Sequence, residues 1–330
     1  MGFTVTEKSL SIFAKEAKII GEKLSKICEN RRPKSLYEPC QYILQNPGKR
    51  LRPFLVLAFS QLYNNNKSKP YNAALAVELL HNFSLVHDDI MDNSDTRRGR
   101  MTLHVKYDLS VAILAGDNLL ALAYEYLLKD CKGDRGIEAA KKFTQCLIEI
   151  CEGQSLDKDF EKLSNVTIDE YFIMISKKTA ALLKMCCEIG SIIGNADKKA
   201  ISSAAKYGYY LGVAFQLMDD LLDVTGDEVE VGKPLGSDLI EGKKTFLLLK
   251  SLELANNSDK GKLLKLIKNN GISKEEVQEY KNIYERCGTI SIAQNEIKKY
   301  TDLAIKSLKN AANEKIKKTL ISIALHMAKR

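Results

Sequence analysis

Apolar side chains recur at intervals of three and four residues through most of this sequence. The pattern is clear in two stretches, 74–85 and 211–222, whereas the strict alternation of a half-buried strand is scarce. Such spacing places apolar side chains on one face of a helix. Five of the six prolines lie before residue 71 and the sixth is Pro234, so no proline ring interrupts a helix between them. The pattern predicts an all-α protein.

Short polar segments separate the predicted helices without dividing the chain into domains. Candidate turns rich in asparagine, aspartate and glycine fall at 64–66, 133–134, 195–197, 226–227 and 256–257. The sequence has no linker rich in glycine, serine or proline, no long repeat and no low-complexity tract. Residues 1–330 are therefore predicted to form a single-domain helical bundle. The stretch 227–245 is rich in glycine and charge, which favours a functional loop.

The composition is typical of a globular protein from a reducing compartment. Of the 330 residues, 45% are hydrophobic and 28% are charged, and no run of about eighteen apolar residues predicts a membrane-spanning helix. Glu7 and Glu16 in the N-terminal segment favour an amphipathic helix over a signal peptide. The eight cysteines form no CxxC pair. We expect a cytoplasmic protein without stable membrane insertion.

The net charge of +8 agrees with nucleic acid, a membrane surface or an anionic substrate as a partner. Over the last third of the chain, lysines are interspersed with acids at helical spacing, which is typical of a solvated helix face. No stripe combines basic and aromatic residues, so nucleic acid is not a predicted partner. The clustered cations described below favour an anionic substrate.

Two aspartate clusters with the same DDxxD spacing are the most informative feature of the sequence. The first comprises Asp88, Asp89 and Asp92, and the second comprises Asp219, Asp220 and Asp223. Residues four apart lie on one face of a helix, so each cluster points two or three carboxylates the same way. Aimed into one space, these acids would repel one another unless divalent cations lay between them. Oxygen ligands that leave room for substrate oxygens suit Mg²⁺, so the clusters predict a magnesium-bridged diphosphate site.

Cations follow both clusters in the sequence. Arg97, Arg98 and Arg100 follow the first cluster, and Lys233, Lys243 and Lys244 follow the second. Gln216 lies three residues before Asp219 and so shares its helix face. Guanidinium groups bind phosphate oxygens in a bidentate manner. One DDxxD motif alone is as readily explained by a solvated acidic face, but two with matching spacing and basic flanks favour a diphosphate site.

The segment GKRLRP, residues 48–53, is a third candidate for anion binding. It places Lys49, Arg50 and Arg52 at a predicted helix start. Backbone N–H groups at a helix N-terminus favour anions. Taken by itself, the segment is more typical of an exposed basic turn than of an anion site.

Two further candidates lie inside apolar sequence. His81 precedes Asp88 by two helical turns on the same face, where it is either a core histidine or a donor to a second phosphate. Lys178 and Thr179 interrupt an apolar stretch. A buried lysine needs a charged partner, and a diphosphate would supply one.

With these motifs in this order, the chain resembles the trans-prenyltransferases, the all-trans isoprenyl diphosphate synthases. The resemblance covers nearly the whole chain and includes segments 48–53, 78–99, 116–117, 178–179, 215–223 and 232–245. It implies an all-α bundle around a deep central cavity, usually in a homodimer. It also implies Mg²⁺-dependent condensation of isopentenyl diphosphate with dimethylallyl, geranyl or farnesyl diphosphate, with release of diphosphate.

The resemblance assigns roles to the candidate residues. It implies metal ligation by Asp88, Asp92 and Asp219, with about three Mg²⁺ ions when substrate is bound. Asp89, Asp220 and Asp223 would act with them as further catalytic ligands or behind them, and Lys178 is also implied to be catalytic. The allylic substrate would be bound by Arg97, Lys178, Thr179, Gln216, Lys233 and Lys243. Isopentenyl diphosphate would be bound by Lys49, Arg52, His81 and Arg98.

Product length should depend on the side chains that precede the first cluster. Phe83 lies five residues before Asp88, about 7–8 Å along the helix, with the small Ser84 next to it and Leu80 one turn further away. In archaeal-type short-chain synthases such an arrangement accompanies a C20 product, so the resemblance implies geranylgeranyl diphosphate. Farnesyl diphosphate and longer prenyl diphosphates are the alternative products. The alternative role for Phe83 is that of an ordinary core residue that does not affect product length.

Two other protein classes share parts of this pattern. A terpene cyclase has the first aspartate cluster but would carry an Asn/Ser/Glu-type second motif, whereas this chain repeats DDxxD. A non-catalytic partner subunit would have lost aspartates or the cations of segment 48–53, and these are intact. Both alternatives are therefore less favoured than the synthase.

Overall fold

A computed structural model describes residues 7–46, 48–63, 69–226 and 235–329. Within these ranges the regular structure is almost entirely helical, which confirms the all-α prediction. In order along the chain, the first helices are α1 Glu7–Leu24, α2 Lys34–Leu44, α3 Leu51–Leu62, α4 Tyr71–Met91, α5 Leu103–Lys106, α6 Leu109–Asp130, α7 Gly133–Lys162 and α8 Ile168–Ile175. They are followed by α9 Ala181–Ile193, α10 Lys198–Thr225, α11 Ser237–Ile240, α12 Phe246–Leu254, α13 Asn257–Lys268, α14 Val277–Arg286, α15 Thr289–Ser307 and α16 Glu314–Met327.

Residue contacts divide the chain into two compact units. Unit 1 comprises Met1–Thr144, Met185–Ala205 and Asn310–Ser322. Unit 2 comprises Gln145–Lys184, Lys206–Lys309 and Ile323–Arg330. That residues 1–330 behave as a single domain stays a prediction.

In unit 1, helix α4 packs against α3 and α6. Its residues 73–83 are all buried, including the polar Glu78, His81 and Asn82. This explains why its apolar pattern extends around most of the helix surface, as expected for an element with neighbours on several sides. The aspartate cluster then begins where the buried stretch ends.

Helix α6 buries only one of its faces within unit 1. Ala112, Ala115 and Leu119 are buried, whereas Leu114 and Leu128 are 59% and 58% exposed. Among the described residues, α6 is the one helix long and apolar enough to cross a membrane, with a mean hydropathy of 1.4 over 18 of its residues. The sequence pattern did not predict this helix as a membrane span.

In unit 2, helix α10 is surrounded by apolar side chains from several other helices. Leu217, Leu248, Tyr284 and Ile297 belong to this buried cluster. A capping box of Thr167 and Glu170 begins α8. Between α8 and α9 the chain forms a π-helical turn, Ser176–Ala180, whose wider ring is frequent at functional sites.

A two-stranded hairpin in unit 1 was absent from the sequence prediction. Strand β1 is Thr96–Arg97 and strand β2 is Arg100–Met101, paired in antiparallel register. Arg98 and Gly99 have φ values of 53° and 72°, which is the left-handed backbone that a two-residue hairpin turn requires. Strands of two residues are too short to show an alternating pattern.

The turn predicted at 195–197 is confirmed, and the one predicted at 256–257 overlaps the break before α13. The turn predicted at 133–134 is wrong, because Gly133 and Asp134 are the first residues of α7 and the break lies at residues 131–132. Residues 195–197 separate α9 from α10, and Asn256 caps the N-terminus of α13. Segment 64–66 and residues 227–234 lie outside the described residues. The described part of the predicted loop, from 235 to 245, contains the short helix α11.

Candidate functional site

The first aspartate cluster lies at the C-terminal end of α4. Asp88 and Asp92 are partly exposed, and the backbone N–H of Asp92 donates to the Asp88 carbonyl at 2.9 Å. Asp89 is buried, and its carboxylate accepts a hydrogen bond from Arg97 Nε at 2.6 Å. Burial raises the pKa of Asp89, and the charge of Arg97 opposes that shift. The cluster therefore combines two partly exposed carboxylates with one that is buried and paired.

The hairpin β1–β2 positions two of the predicted phosphate-binding arginines. The N–H of Ser94 donates to the carbonyl of Asp89, which fixes the chain just after α4. Arg97 and Arg98 then line a small cavity with Asp89 and Asn82. The structure thus brings both arginines to the end of the helix that carries the first cluster.

The basic segment at the start of α3 presents its cations in different directions. Lys49 is exposed, and Arg52 is partly buried with its Nη1 3.2 Å from Nε2 of His81. Arg50 is buried, and its Nη1 lies 2.6 Å from Oε1 of the buried Glu78. The sequence pattern grouped Arg50 with the other two cations, but its charge is neutralised inside unit 1.

His81 acts as a hydrogen-bond acceptor in this arrangement. A guanidinium can only donate, so the Arg52 contact requires an unprotonated Nε2 on His81. Burial and the surrounding guanidinium charges hold the pKa of His81 well below its usual value. The predicted role of His81 as a donor to phosphate therefore does not apply to its Nε2.

Of the three residues predicted to control product length, Leu80 and Phe83 are buried in α4 and Ser84 is partly buried. Leu80 is fully buried, and the ring of Phe83 packs against the ring of His87 with centroids 4.7 Å apart. The hydroxyl of Ser84 donates to the carbonyl of His81 at 2.9 Å. Their role in product length stays a prediction.

The second aspartate cluster lies in the last turns of α10 in unit 2. Asp219 is partly exposed, whereas Asp220 and Asp223 are buried. Asp220 accepts hydrogen bonds from the hydroxyl of Tyr171 at 2.7 Å and from Nε2 of Gln216 at 2.9 Å. Burial raises the pKa of Asp220, and these donors oppose the shift.

Asp223, near the end of α10, accepts hydrogen bonds from the first residues of α11 and so holds the two helices together. Its carboxylate accepts from the Ser237 hydroxyl at 2.6 Å and from the Asp238 backbone N–H at 3.0 Å. Its carbonyl accepts from the Gly236 N–H at 2.7 Å. The position of Asp223 thus gives it a local structural task beside any role as a ligand.

The π-helical turn in unit 2 carries the predicted lysine and threonine. Lys178 Nζ lies 2.5 Å from Oδ2 of Asp157, so the charged partner that the sequence required is a protein carboxylate. The Thr179 hydroxyl donates to Oε1 of Gln216 at 2.7 Å. Among the lysines after the second cluster, Lys243 pairs with Glu241 at 2.7 Å, and Lys233 lies outside the described residues.

Three residues of these networks were missed by the sequence reasoning. Glu78 could have been found, because it is an acid within an apolar run. Tyr171 offered only a weak signal, as an aromatic residue near a helix start. Asp157 offered none, since acids and lysines alternate around it.

No protein site in the described ranges is complete for a metal ion. In them, no group of three or more His, Cys, Asp or Glu side chains could hold a metal on its own. The partly exposed aspartates offer hard oxygen ligands, which suit Mg²⁺ when substrate oxygens and water fill the other positions. The residues therefore fit Mg²⁺ bound together with an anionic substrate.

Comparison with known proteins gives one consistent family. The sequence profile of the polyprenyl synthetase family matches residues 33–286. The geranylgeranyl diphosphate synthase of Sulfolobus acidocaldarius is 42% identical over 282 residues, which cover 84% of this chain and 85% of that protein. The solved structure of geranylgeranyl pyrophosphate synthetase from Pyrococcus horikoshii has a TM-score of 0.92 at 35% identity, covering 98% of this chain and 99% of that one.

Some structural neighbours were solved with ligands. The geranylgeranyl pyrophosphate synthase of Corynebacterium glutamicum is complexed with isoprenyl diphosphate and magnesium. It is 25% identical, with a TM-score of 0.87, and the match covers 96% of this chain and 99% of that one.

The depressed pKa of His81 predicts a loss of stability in mild acid. Below the usual histidine pKa of 6.5 the unfolded chain binds a proton that folded His81 does not, so the free energy of unfolding falls as pH decreases. Replacing His81 with Gln should reduce the drop in melting temperature between about pH 7.5 and about pH 5.5. The exposed His326, changed to Gln, serves as the control and should leave that drop unchanged. An equal drop in His81→Gln and wild-type protein would contradict this account.

Proposed function

This chain belongs to the polyprenyl synthetase family, and we propose that it is a Mg²⁺-dependent prenyltransferase that joins isopentenyl diphosphate to allylic diphosphates. Dimethylallyl, geranyl and farnesyl diphosphate are the proposed allylic substrates, and the product is an all-trans prenyl diphosphate. The observation that carries the proposal is that each aspartate cluster contains both buried, hydrogen-bonded carboxylates and partly exposed ones. Protein donors hold the buried carboxylates of Asp89, Asp220 and Asp223, while Asp88, Asp92 and Asp219 remain partly exposed. A merely solvated acidic face would have no need of such donors.

Asp88, Asp92 and Asp219 are the proposed metal ligands. Their carboxylate oxygens match the preference of Mg²⁺ for hard donors, and diphosphate oxygens and water would complete the coordination of about three ions. Bound Mg²⁺ supplies Lewis-acid stabilisation of the leaving diphosphate. Asp89, Asp220 and Asp223 keep the ligand-bearing helix ends in place through their own hydrogen bonds.

Lys178 and Arg97 are proposed to bind the allylic diphosphate. Each is already held by a carboxylate, Lys178 by Asp157 and Arg97 by Asp89, so its position is set before substrate arrives. Such preorganised charge stabilises an anion at little reorganisation cost. Thr179, Gln216, Lys233 and Lys243 complete the proposed set for this substrate.

Lys49, Arg52 and Arg98 are proposed to bind isopentenyl diphosphate. They lie in unit 1 at the start of α3 and in the turn of the hairpin. His81 contributes through Arg52, because its neutral Nε2 accepts a guanidinium hydrogen bond and so fixes the direction of that side chain. Isopentenyl diphosphate keeps its carbon–oxygen bond to the diphosphate during the reaction, so its cations need only position it.

The proposed reaction breaks the bond between C1 of the allylic substrate and its diphosphate oxygen. Lys178 and Arg97 stabilise the negative charge that develops on that diphosphate. The double bond of isopentenyl diphosphate attacks C1 through its C4, and a new carbon–carbon bond forms. A proton then leaves C2 of the isopentenyl unit to the released diphosphate, which restores a double bond. Apolar side chains near the hydrocarbon exclude water, which would otherwise capture the allylic cation.

We propose geranylgeranyl diphosphate as the main product. The buried ring of Phe83, packed on His87 one turn before the metal-ligand end of α4, is the bulkiest side chain among the three length candidates. The relative from Sulfolobus acidocaldarius is a geranylgeranyl diphosphate synthase. Farnesyl diphosphate and longer prenyl diphosphates are the alternative products.

We propose that the exposed apolar face of α6 forms a homodimer interface. Leu114, Ala121 and Leu128 recur every seven residues along this face and are exposed. Lipid is a poor alternative partner, because Asp117 is 62% exposed and Glu125 pairs at the surface with Arg31. A second copy buries the apolar stripe while leaving these charges at its edge.

A cytoplasmic location is the final part of the proposal. All eight cysteines are free thiols, which is typical of a reducing compartment. The substrates are small water-soluble diphosphates, and no stable membrane insertion or nucleic acid partner is required for the reaction.

The metal-ligand assignment predicts that Asp88→Ala and Asp219→Ala each lower turnover by roughly 10³-fold or more, because each removes a ligand worth several kcal/mol in the transition state. The assay measures Mg²⁺-dependent prenyl product from isopentenyl diphosphate and each allylic primer. Asp95→Ala removes an exposed acid near the same helix end and should change turnover only slightly. Near-normal turnover of either variant at saturating Mg²⁺ would show the two-cluster assignment to be wrong. Wild-type protein that forms no such product would contradict the proposed function.

The product-length assignment predicts opposite effects at adjacent positions. Phe83→Ala should lengthen the product beyond C20, and Ser84→Phe should shorten it toward C15, as read by chromatography of the dephosphorylated products. The control Phe59→Ala removes another buried ring of unit 1 and should cost a similar 3–5 kcal/mol or so of stability while leaving product length unchanged. Unchanged products in both α4 variants would make Phe83 an ordinary core residue.

The interface assignment predicts that the double variant Leu114→Glu/Leu128→Glu is monomeric. Charges on a buried apolar stripe are costly to desolvate, so light scattering should report a mass near the 37.0 kDa of one chain instead of twice that value. Leu264→Glu changes an exposed leucine on α13 and should leave the dimer intact. A monomeric wild-type protein, or a dimeric double variant, would rule out this interface.

A further inference from the structure

Arg50 is held inside unit 1 by three separate contacts. Its Nη1 lies 2.6 Å from Oε1 of Glu78, and its Nη2 donates to the carbonyls of Asn46 at 2.8 Å and Leu44 at 3.2 Å. The side chains of Arg50 and Glu78 are 8% and 5% exposed. A guanidinium so enclosed and so fully used is not available to a substrate.

These contacts sustain an unusual backbone at the start of α3. Arg50 is the N-cap of that helix and has φ 54° and ψ 33°, the left-handed region that non-glycine residues rarely adopt. The turn points the Arg50 side chain inward, while Lys49 before it is exposed and Arg52 after it reaches His81. The direction of both neighbouring cations therefore depends on the conformation at Arg50.

Gly48 brings a further arginine against the same turn. A Cβ at Gly48 would lie 2.8 Å from Nη1 of Arg98 and 3.3 Å from Nη1 of Arg50, so both guanidiniums pack where a side chain would be. Lys49 and Arg52 lie within segment 48–52, and Arg98 packs against Gly48 in the same segment. All three cations assigned to isopentenyl diphosphate therefore belong to this segment or contact it. A shift of the turn would move the set together.

We infer that the buried Arg50–Glu78 pair is a positioning device for isopentenyl diphosphate: it fixes the turn that aims Lys49 and Arg52 and seats Arg98. Arg50 and Glu78 are positioning residues in this account, since they act through the neighbouring cations. The inference rests on the proposed function, which assigns that substrate to these cations. It extends that assignment to two residues that do not face the substrate.

A purely electrostatic role of the pair makes the opposite prediction for one variant. Removing the positive charge with Arg50→Met would weaken binding of a diphosphate, but removing the negative charge with Glu78→Gln would strengthen it. A positioning role predicts weaker binding in both variants, because each releases the turn. The sign of the change in Glu78→Gln therefore separates the two explanations.

The experiment measures KM for isopentenyl diphosphate, KM for the allylic substrate and kcat in both variants. We expect KM for isopentenyl diphosphate to rise by about tenfold in each, as for the loss of a charge-assisted hydrogen bond, with much smaller changes in the other two parameters. The double variant Arg50→Met/Glu78→Leu removes both charges at once and should show the same rise. It leaves no unpaired buried charge, so it decides the question if a single variant fails to fold.

Glu188→Gln provides the matched control. Glu188 is a buried carboxylate of unit 1 that pairs with Lys142 at 2.6 Å, and its loss should lower stability without changing either KM. A KM for isopentenyl diphosphate that falls or stays constant in Glu78→Gln, or stays constant in the double variant, would overturn the inference while the proposed function stands. Equal rises in both KM values would also overturn it. A wild-type protein without condensation activity would instead contradict the proposed function, and the inference with it.

Discussion

Carboxylates one helical turn apart repel one another, and both aspartate clusters depend on how that repulsion is relieved. Each cluster commits part of its charge to the protein: Asp89 to Arg97, and Asp220 and Asp223 to donors on neighbouring elements of unit 2. The donors in turn fix the parts that carry them, namely the hairpin, the N-terminal part of α8 and the helix α11. Local folding around each cluster therefore follows from the need to neutralise buried acids.

Several cations are likewise paired with charges of the opposite sign. Lys178 and Arg97 each have a carboxylate at hydrogen-bond distance, and Arg50 has Glu78. A cation held in this way keeps its charge and its direction, and so forms a fixed field for an anion. Arg50 is the exception, since its guanidinium is buried against Glu78 and so holds the protein structure instead of binding substrate.

Helices and the positions of the aspartates could be predicted from the sequence because both depend on local spacing. A repeat of three and four residues locates α4 and α10, and a four-residue separation puts Asp88 and Asp92 one turn apart on a single face. The orientation of Arg50 could not be predicted, since it depends on Glu78, which is 28 residues away. The π-helical turn at Lys178 leaves no mark in the apolar pattern, and the hairpin at Arg97 is too short to leave one.

Four polar side chains of unit 2 are joined in a directed series. The Thr179 hydroxyl donates to Oε1 of Gln216, the Gln216 amide donates through Nε2 to Asp220, and the Tyr171 hydroxyl donates to the other oxygen of Asp220. Each member has its donor and acceptor atoms assigned by the next, so that the Gln216 amide has a single workable orientation. The energetic effects of substitutions at these positions are consequently non-additive. A substitution at any one of the four positions therefore changes which side chains can be accepted at the other three.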